Sequence, residues 1–103
     1  MKKYLLVFIF LFTPLFSVAG EISPSCTYKG IPLYGKVKVV DSLADFKVKI
    51  VNALPDLKVQ KVSALPNSCG QWEFVDSLPD FTVQFVEALP DFTIQYVDAL
   101  PGV

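Results

Sequence analysis

The sequence predicts an all-β domain, and three observations predict it: self-similarity at a step of eleven residues, a two-residue alternation of apolar and polar side chains, and a proline in almost every unit. The array reads KVKVVDSLADF from Lys36, KVKIVNALPDL from Lys47 and KVQKVSALPNS from Lys58. After a two-residue insertion, Cys69-Gly70, it resumes as QWEFVDSLPDF from Gln71, TVQFVEALPDF from Thr82 and TIQYVDALPGV from Thr93. Numbered 1 to 11 within the unit, position 5 is Val and position 8 is Leu in all six copies. Position 7 is Ala or Ser throughout, and position 9 is Pro in five, Ala44 being the exception. Such self-similarity marks a repeat architecture.

An eleven-residue period also suits a right-handed helical coiled coil. The recurring proline excludes it, because a proline inside a helix costs about 3 kcal/mol. Phe81-Thr82-Val83-Gln84-Phe85 and Phe92-Thr93-Ile94-Gln95-Tyr96 alternate instead, as a strand with one buried face does. Val at position 5 breaks the alternation and ends a strand of five or six residues. The next five residues, such as Glu87-Ala88-Leu89-Pro90-Asp91, are turn chemistry. Each unit is therefore one short strand plus one corner. A leucine in every corner points to an apolar side chain tucked back into the core. Periodicity leaves a β-solenoid, an up-and-down meander and a non-adjacent pairing all open. The insertion divides the array into three units and three units, which invites pairing of one half with the other.

The chain has 103 residues, enough for one domain. It begins Met1-Lys2-Lys3, runs apolar from Tyr4 to Phe16 and continues Ser17-Val18-Ala19-Gly20, the three parts of a secretory signal peptide. Cleavage after Ala19 or after Gly20 satisfies the small-residue rule equally. A membrane anchor needs roughly 20 apolar residues, and Pro14 interrupts a shorter run. Residues 1–20 are expected to be a signal and residues 21–103 a single domain, exported to the periplasm or beyond, with no stable membrane insertion after cleavage. The leading residues 21–35 stand outside the repeat and are expected to hold a short strand. Cys26 and Cys69 are expected to form a disulfide, since an oxidising compartment favours one and no Cys-x-x-Cys is present.

From Glu21 onward seven lysines face ten carboxylates, a net charge of −3 that argues against a nucleic-acid partner. All seven lysines lie between Lys29 and Lys61, whereas residues 69–103 hold six acids and no base. The halves are complementary in charge, so lysines at positions 1 and 3 of the first half could sit beside acids of the second.

The units of the form Val-Asp-Ser-Leu-Pro-Asp-Phe, together with Tyr28-Lys29-Gly30, Leu33-Tyr34-Gly35-Lys36-Val37, the central Cys69-Gly70-Gln71-Trp72 and the closing Leu100-Pro101-Gly102-Val103, resemble the septoil-knot proteins. The resemblance extends over essentially all of the chain after the signal. It implies a compact all-β domain threaded as a seven-crossing torus knot, with the two halves interwound. Deep knots are rare among folds, and neither spacing nor composition leads to one. The family more often carries Phe at position 8, where every copy here carries Leu. That exchange is conservative for a core position. The resemblance supplies a fold and no activity.

Candidate chemistry is sparse. The chain has no histidine and no arginine, which removes the usual general base, the commonest nitrogen metal ligand and the bidentate anion clamp. Ser42, Ser63 and Ser77 sit in corners as turn residues, so no Ser–Lys hydrolase is expected and no cofactor or resident metal is assigned. Acids recur four apart, as Asp41 with Asp45, Asp76 with Asp80 and Glu87 with Asp91. A Ca²⁺ ladder is one use of them, and turn formation with solubility is the simpler one. Trp72 stands where other copies have Val or Ile and reads as a larger core residue beside the register break. A carbohydrate- or partner-stacking platform with Tyr28, Tyr34 or Tyr96 is the alternative. Lys36, Lys38, Lys47, Lys49 and Lys58 form the one candidate binding surface, for anionic polymers or headgroups, or else a solvated face that discourages edge pairing. The expectation is a non-enzymatic structural or binding module with an unidentified protein or polymer ligand outside the cytoplasm. The alternatives are a secreted inhibitor or antagonist and a Ca²⁺-binding module.

Overall fold

In the computed structural model residues 22–103 are described; the expected signal, residues 1–20, lies outside them, as does Glu21. Every regular element among the described residues is a strand: β1 (Thr27–Tyr28), β2 (Ile31–Pro32), β3 (Gly35–Val39), β4 (Phe46–Ile50), β5 (Leu57–Lys61), β6 (Gln71–Phe74), β7 (Phe81–Phe85) and β8 (Phe92–Tyr96). The leading segment thus holds two strands where one was expected. They form a hairpin turned by Lys29 and Gly30, whose φ of 53° and 82° suit a two-residue turn.

The six repeat strands close into a barrel in the order β3-β6-β5-β8-β4-β7, and every neighbour is parallel. The meander is excluded, because its neighbours would run antiparallel. Non-adjacent pairing is what occurs: each strand of the first half lies between two strands of the second.

The register shows how chain connections cross. Val39 and Phe46 both align with Val83 of β7, from opposite sides, so residues 40–45 pass over the outside of that strand. Residues 51–56 straddle β8 at Ile94 in the same way, residues 75–80 straddle β3 at Val37, and residues 86–91 straddle β4 at Val48. The final corner crosses β5, where Tyr96 aligns with Val59 and Gly102 bridges Lys58. We call these corners straps, because each half holds strands of the other beneath it.

Moving from one strand to the next shifts the register by two residues, so equal repeat positions lie at equal height in the barrel. Position 2 gives one layer, Val37, Val48, Val59, Trp72, Val83 and Ile94, all at 0% exposure. Position 11 gives a second layer of Phe46, Leu57, Phe81 and Phe92, which are also buried. Phe46 stacks against Phe81 and Phe92 with ring centroids 5.5 Å apart in each case. The remaining two places in that layer are Gly35 and Gly70. A Cβ at Gly70 would collide with the Lys58 carbonyl oxygen and one at Gly35 with the Asp80 carboxylate. The leading segment closes this end of the barrel: Leu33 is fully buried, and the Tyr28 ring meets Phe46 and Phe92 at 5.6 and 5.4 Å.

Cys26 and Cys69 are joined, as expected. Trp72 is a core residue, and its indole N–H donates to the Leu33 carbonyl at 3.1 Å. The corner leucines do not behave as the repeat pattern led us to expect. Leu43, Leu54, Leu65, Leu78, Leu89 and Leu100 are 99, 95, 78, 87, 90 and 86% exposed. They cannot tuck into the core because the layers at positions 2 and 11 already fill it. Position 8 is therefore no core position, and a Phe-to-Leu exchange there bears on the surface.

Candidate functional site

The straps carry most of the surface chemistry, and in four of the six an aspartate at position 10 fixes the strap to the strand beneath. The Asp45 carboxylate accepts from the Thr82 backbone N–H at 2.8 Å, while the Asp45 N–H donates to Thr82 Oγ1 at 2.9 Å. Asp56 and Thr93 repeat the exchange at 2.8 and 3.0 Å. In the other direction Asp80 and Asp91 accept from the backbone N–H groups of Lys36 and Lys47, both at 2.7 Å. Their own N–H groups return bonds to the carbonyls of the same two lysines at 2.7 and 2.6 Å. The Gln95 and Gln60 amides donate to the Asn52 and Asp98 carbonyls of the straps beside them.

The halves are thus joined through carboxylates on backbone N–H groups. The lysine–acid pairing expected from the charge split is not what fastens the straps, and the physical reason is geometric. An acid at position 10 reaches the backbone of position 1 across the crossing, whereas the lysine side chain of position 1 points outward. Removing the Asp56 carboxylate leaves both the backbone N–H and the hydroxyl of half-buried Thr93 without an acceptor. Asp56→Ala is expected to cost about 1–3 kcal/mol, read as a lower urea midpoint, while Asp41→Ala at the exposed position 6 leaves the midpoint unchanged.

Above these anchors the strap crests are strained. All six position 8 leucines have φ between 52° and 57°. That left-handed region costs an ordinary L-residue roughly 1–2 kcal/mol and is the usual place of Gly or Asn. In five straps a proline follows, and a residue before proline is normally driven to extended conformations. The side chains recover nothing from the core in exchange.

The described charges are sorted in the same way. Eight of the nine described acids lie on the straps, Glu73 on β6 being the other, and no strap carries a lysine. Lys36 and Lys38 sit on β3, Lys47 and Lys49 on β4, and Lys58 on β5, with a strand of the second half between each set. The fold therefore spreads the five lysines around the barrel in three groups. Lys36, Lys47 and Lys58 are exposed, and Lys38 and Lys49 are half-buried. Ser42, Ser63 and Ser77 are exposed on straps.

Two smaller features complete the surface. A cleft of about 360 Å³ opens between the leading segment and the third strap, lined by Ile31, Tyr34, Pro66 and Phe81, among others. At the barrel end opposite the leading segment, position 4 leaves Val39, Ile50 and Phe85 partly exposed, and the Lys61 ammonium lies 4.3 Å from the centroid of Tyr96. Burial raises the Tyr96 phenol above its ordinary 10.0. A raised acid pKa in the folded state gives stability that is full below pH 10 and declines as pH rises past it. Stability measured against pH in the alkaline range is expected to show that decline, and Tyr96→Phe to blunt it.

The strap leucines are legible in the sequence as a periodic feature, but they lie outside the barrel wall and not, as expected, inside it. The available signal is their place three residues past the Val that breaks the alternation, between a small residue and, in five copies, proline, where the chain no longer follows the barrel.

The family whose model is described as the 7(1) septoil knot domain matches residues 30–103. No curated protein matches the chain.

Proposed function

The chain belongs to the septoil-knot domain family, and from that premise we propose that it is a rigid, non-enzymatic binding or structural module acting outside the cytoplasm, in the cell envelope or secreted from it. The observation that carries this reading is the row of exposed, strained leucines on the strap crests. Strain that brings no packing in return is a mark of a site selected for contact with something else. The position 10 carboxylates support the reading from the other side, since they are engaged by the fold and are not free for acid–base chemistry. A disulfide between Cys26 and Cys69 is compatible with an oxidising compartment.

The signal-like first 20 residues agree with export, and intact mass of the secreted form tests it directly. The expected product begins at Gly20 or Glu21 and lacks two hydrogens relative to the reduced chain. Retention of Met1-Lys2-Lys3 in the mature protein would overturn the export reading. For the non-enzymatic claim, the purified protein is expected to turn over nothing in a broad hydrolase panel. Reproducible turnover that survives purification to constant specific activity defeats it.

A further inference from the structure

We infer that the strap belt docks a basic amphipathic polypeptide segment, with the crest leucines entering its apolar side and the strap acids meeting its cations. This deepens the module reading above and rests on it. Three independent features of the belt converge. The leucines present nearly whole side chains to water, between 78 and 99% exposed. In four straps the backbone is held by the carboxylate anchor at position 10, and in the last by the backbone exchange of Gly102 with Lys58, so in these five little freedom remains to be lost on binding. The straps themselves carry charge of a single sign, with acids on five of six and lysine on none, while the exposed Lys36, Lys47 and Lys58 are confined to the strands that the second-half straps cross.

That charge selects the occupant. A second copy would bring acidic belt against acidic belt, and an anionic lipid surface or polymer would meet the same repulsion. A partner combining cations with apolar side chains is the one whose chemistry matches both features. The second half is the richer in acids, with Asp76, Glu87 and Asp98 at position 6 of its three straps and Asp80 and Asp91 at position 10. Repetition adds avidity, since several crests can engage one long segment or several segments at once.

The test uses the disulfide-bonded protein with two synthetic probes, an amphipathic helical peptide of leucine and lysine and its counterpart of leucine and glutamate. The leucine–lysine peptide is expected to bind with more than one peptide per protein and to weaken as salt is raised, and the leucine–glutamate peptide not to bind. The variant Leu78→Asn, Leu89→Asn, Leu100→Asn keeps every acid and places Asn in a conformation it tolerates. It is expected to melt at the same temperature or higher, and to bind the leucine–lysine peptide about tenfold more weakly or worse. The variant Asp76→Asn, Glu87→Gln, Asp98→Asn is expected to bind more weakly at low salt and with a flatter salt response. Equal binding of both peptides, no binding of the leucine–lysine peptide, self-association in its place, or a triple-Asn variant that binds like the parent would each overturn the inference. None of these outcomes touches the non-enzymatic reading, which stands or falls on turnover.

Discussion

Trp72→Ala is expected to destabilise the protein by about 3–5 kcal/mol, more than any other single truncation. Trp72 is at 0% exposure in the position 2 layer, where its five counterparts are Val or Ile. The larger ring fits because the layer beside it lacks two side chains: Trp72 aligns with Gly35 across the β3–β6 pair, and Gly70 lies two residues before it. Truncation therefore leaves a cavity whose walls cannot collapse. Gly70 is held by its N–H donating to the Leu33 carbonyl at 3.2 Å and its carbonyl accepting from the Gln60 N–H at 2.9 Å, and the residue after Gly35 is held by the bond of the Lys36 N–H to Asp80 at 2.7 Å. The indole also packs edge-on against Phe81 at 5.6 Å and Phe74 at 6.0 Å. Trp72→Val, which restores the side chain typical of the layer, is expected to recover less than half the loss, because the glycines still leave the space empty. Urea unfolding followed by far-UV circular dichroism measures this, since the variant removes the one tryptophan. A midpoint shift no larger than that of Val83→Ala would refute the account.

The contrast between Trp72 and the corner leucines shows what the sequence can and cannot convey. Alternation is a local property, so it conveys the buried layers at positions 2 and 11, including Trp72 at the register break, although it puts position 4 on the same face and the barrel end leaves Val39, Ile50 and Phe85 partly exposed. The order in which the strands meet is not local. The bonds that fasten straps to strands join residues 37 or 44 apart in the chain, and nothing within an eleven-residue unit encodes that separation. Interwinding was expected through family resemblance and a three-plus-three division, and the parallel barrel was not derivable from either. The leucines failed for a different reason. Apolar character does not imply burial, since more than half of a folded surface is apolar, and the left-handed conformation that turns them outward is one that Gly or Asn would advertise and Leu conceals. The position 10 acids were recognised as turn residues, but their targets belong to the opposite half and could not be named beforehand.

Loss of the disulfide is the other large effect, and it acts on the unfolded chain. Cys26 and Cys69 are 43 residues apart, and the loop they close contains the whole first half of the array. On the chain-entropy account, removing a link across a loop of that length costs about 4 kcal/mol, a large share of the 5–15 kcal/mol that holds a typical domain together. The native barrel should change little, because Leu33 still accepts from the Trp72 indole and from the Gly70 N–H at 3.2 Å. The link matters because it holds Cys26 of the leading segment beside Cys69 in the unfolded chain as well as in the folded one. For the double variant Cys26→Ala, Cys69→Ala two changes are expected together: a lower urea midpoint, and a steeper dependence on urea because the unlinked chain exposes more surface when unfolded. A lower midpoint with an unchanged slope would point to damage in the folded state instead, since Cys26 is itself 5% exposed and packs in the core. Reducing the parent protein separates the two cases, because it opens the link while leaving both sulfurs in place. If reduction reproduces the double variant, the covalent tie is what stabilises the fold; if the reduced parent is as stable as the oxidised one, the loss in the variant belongs to packing.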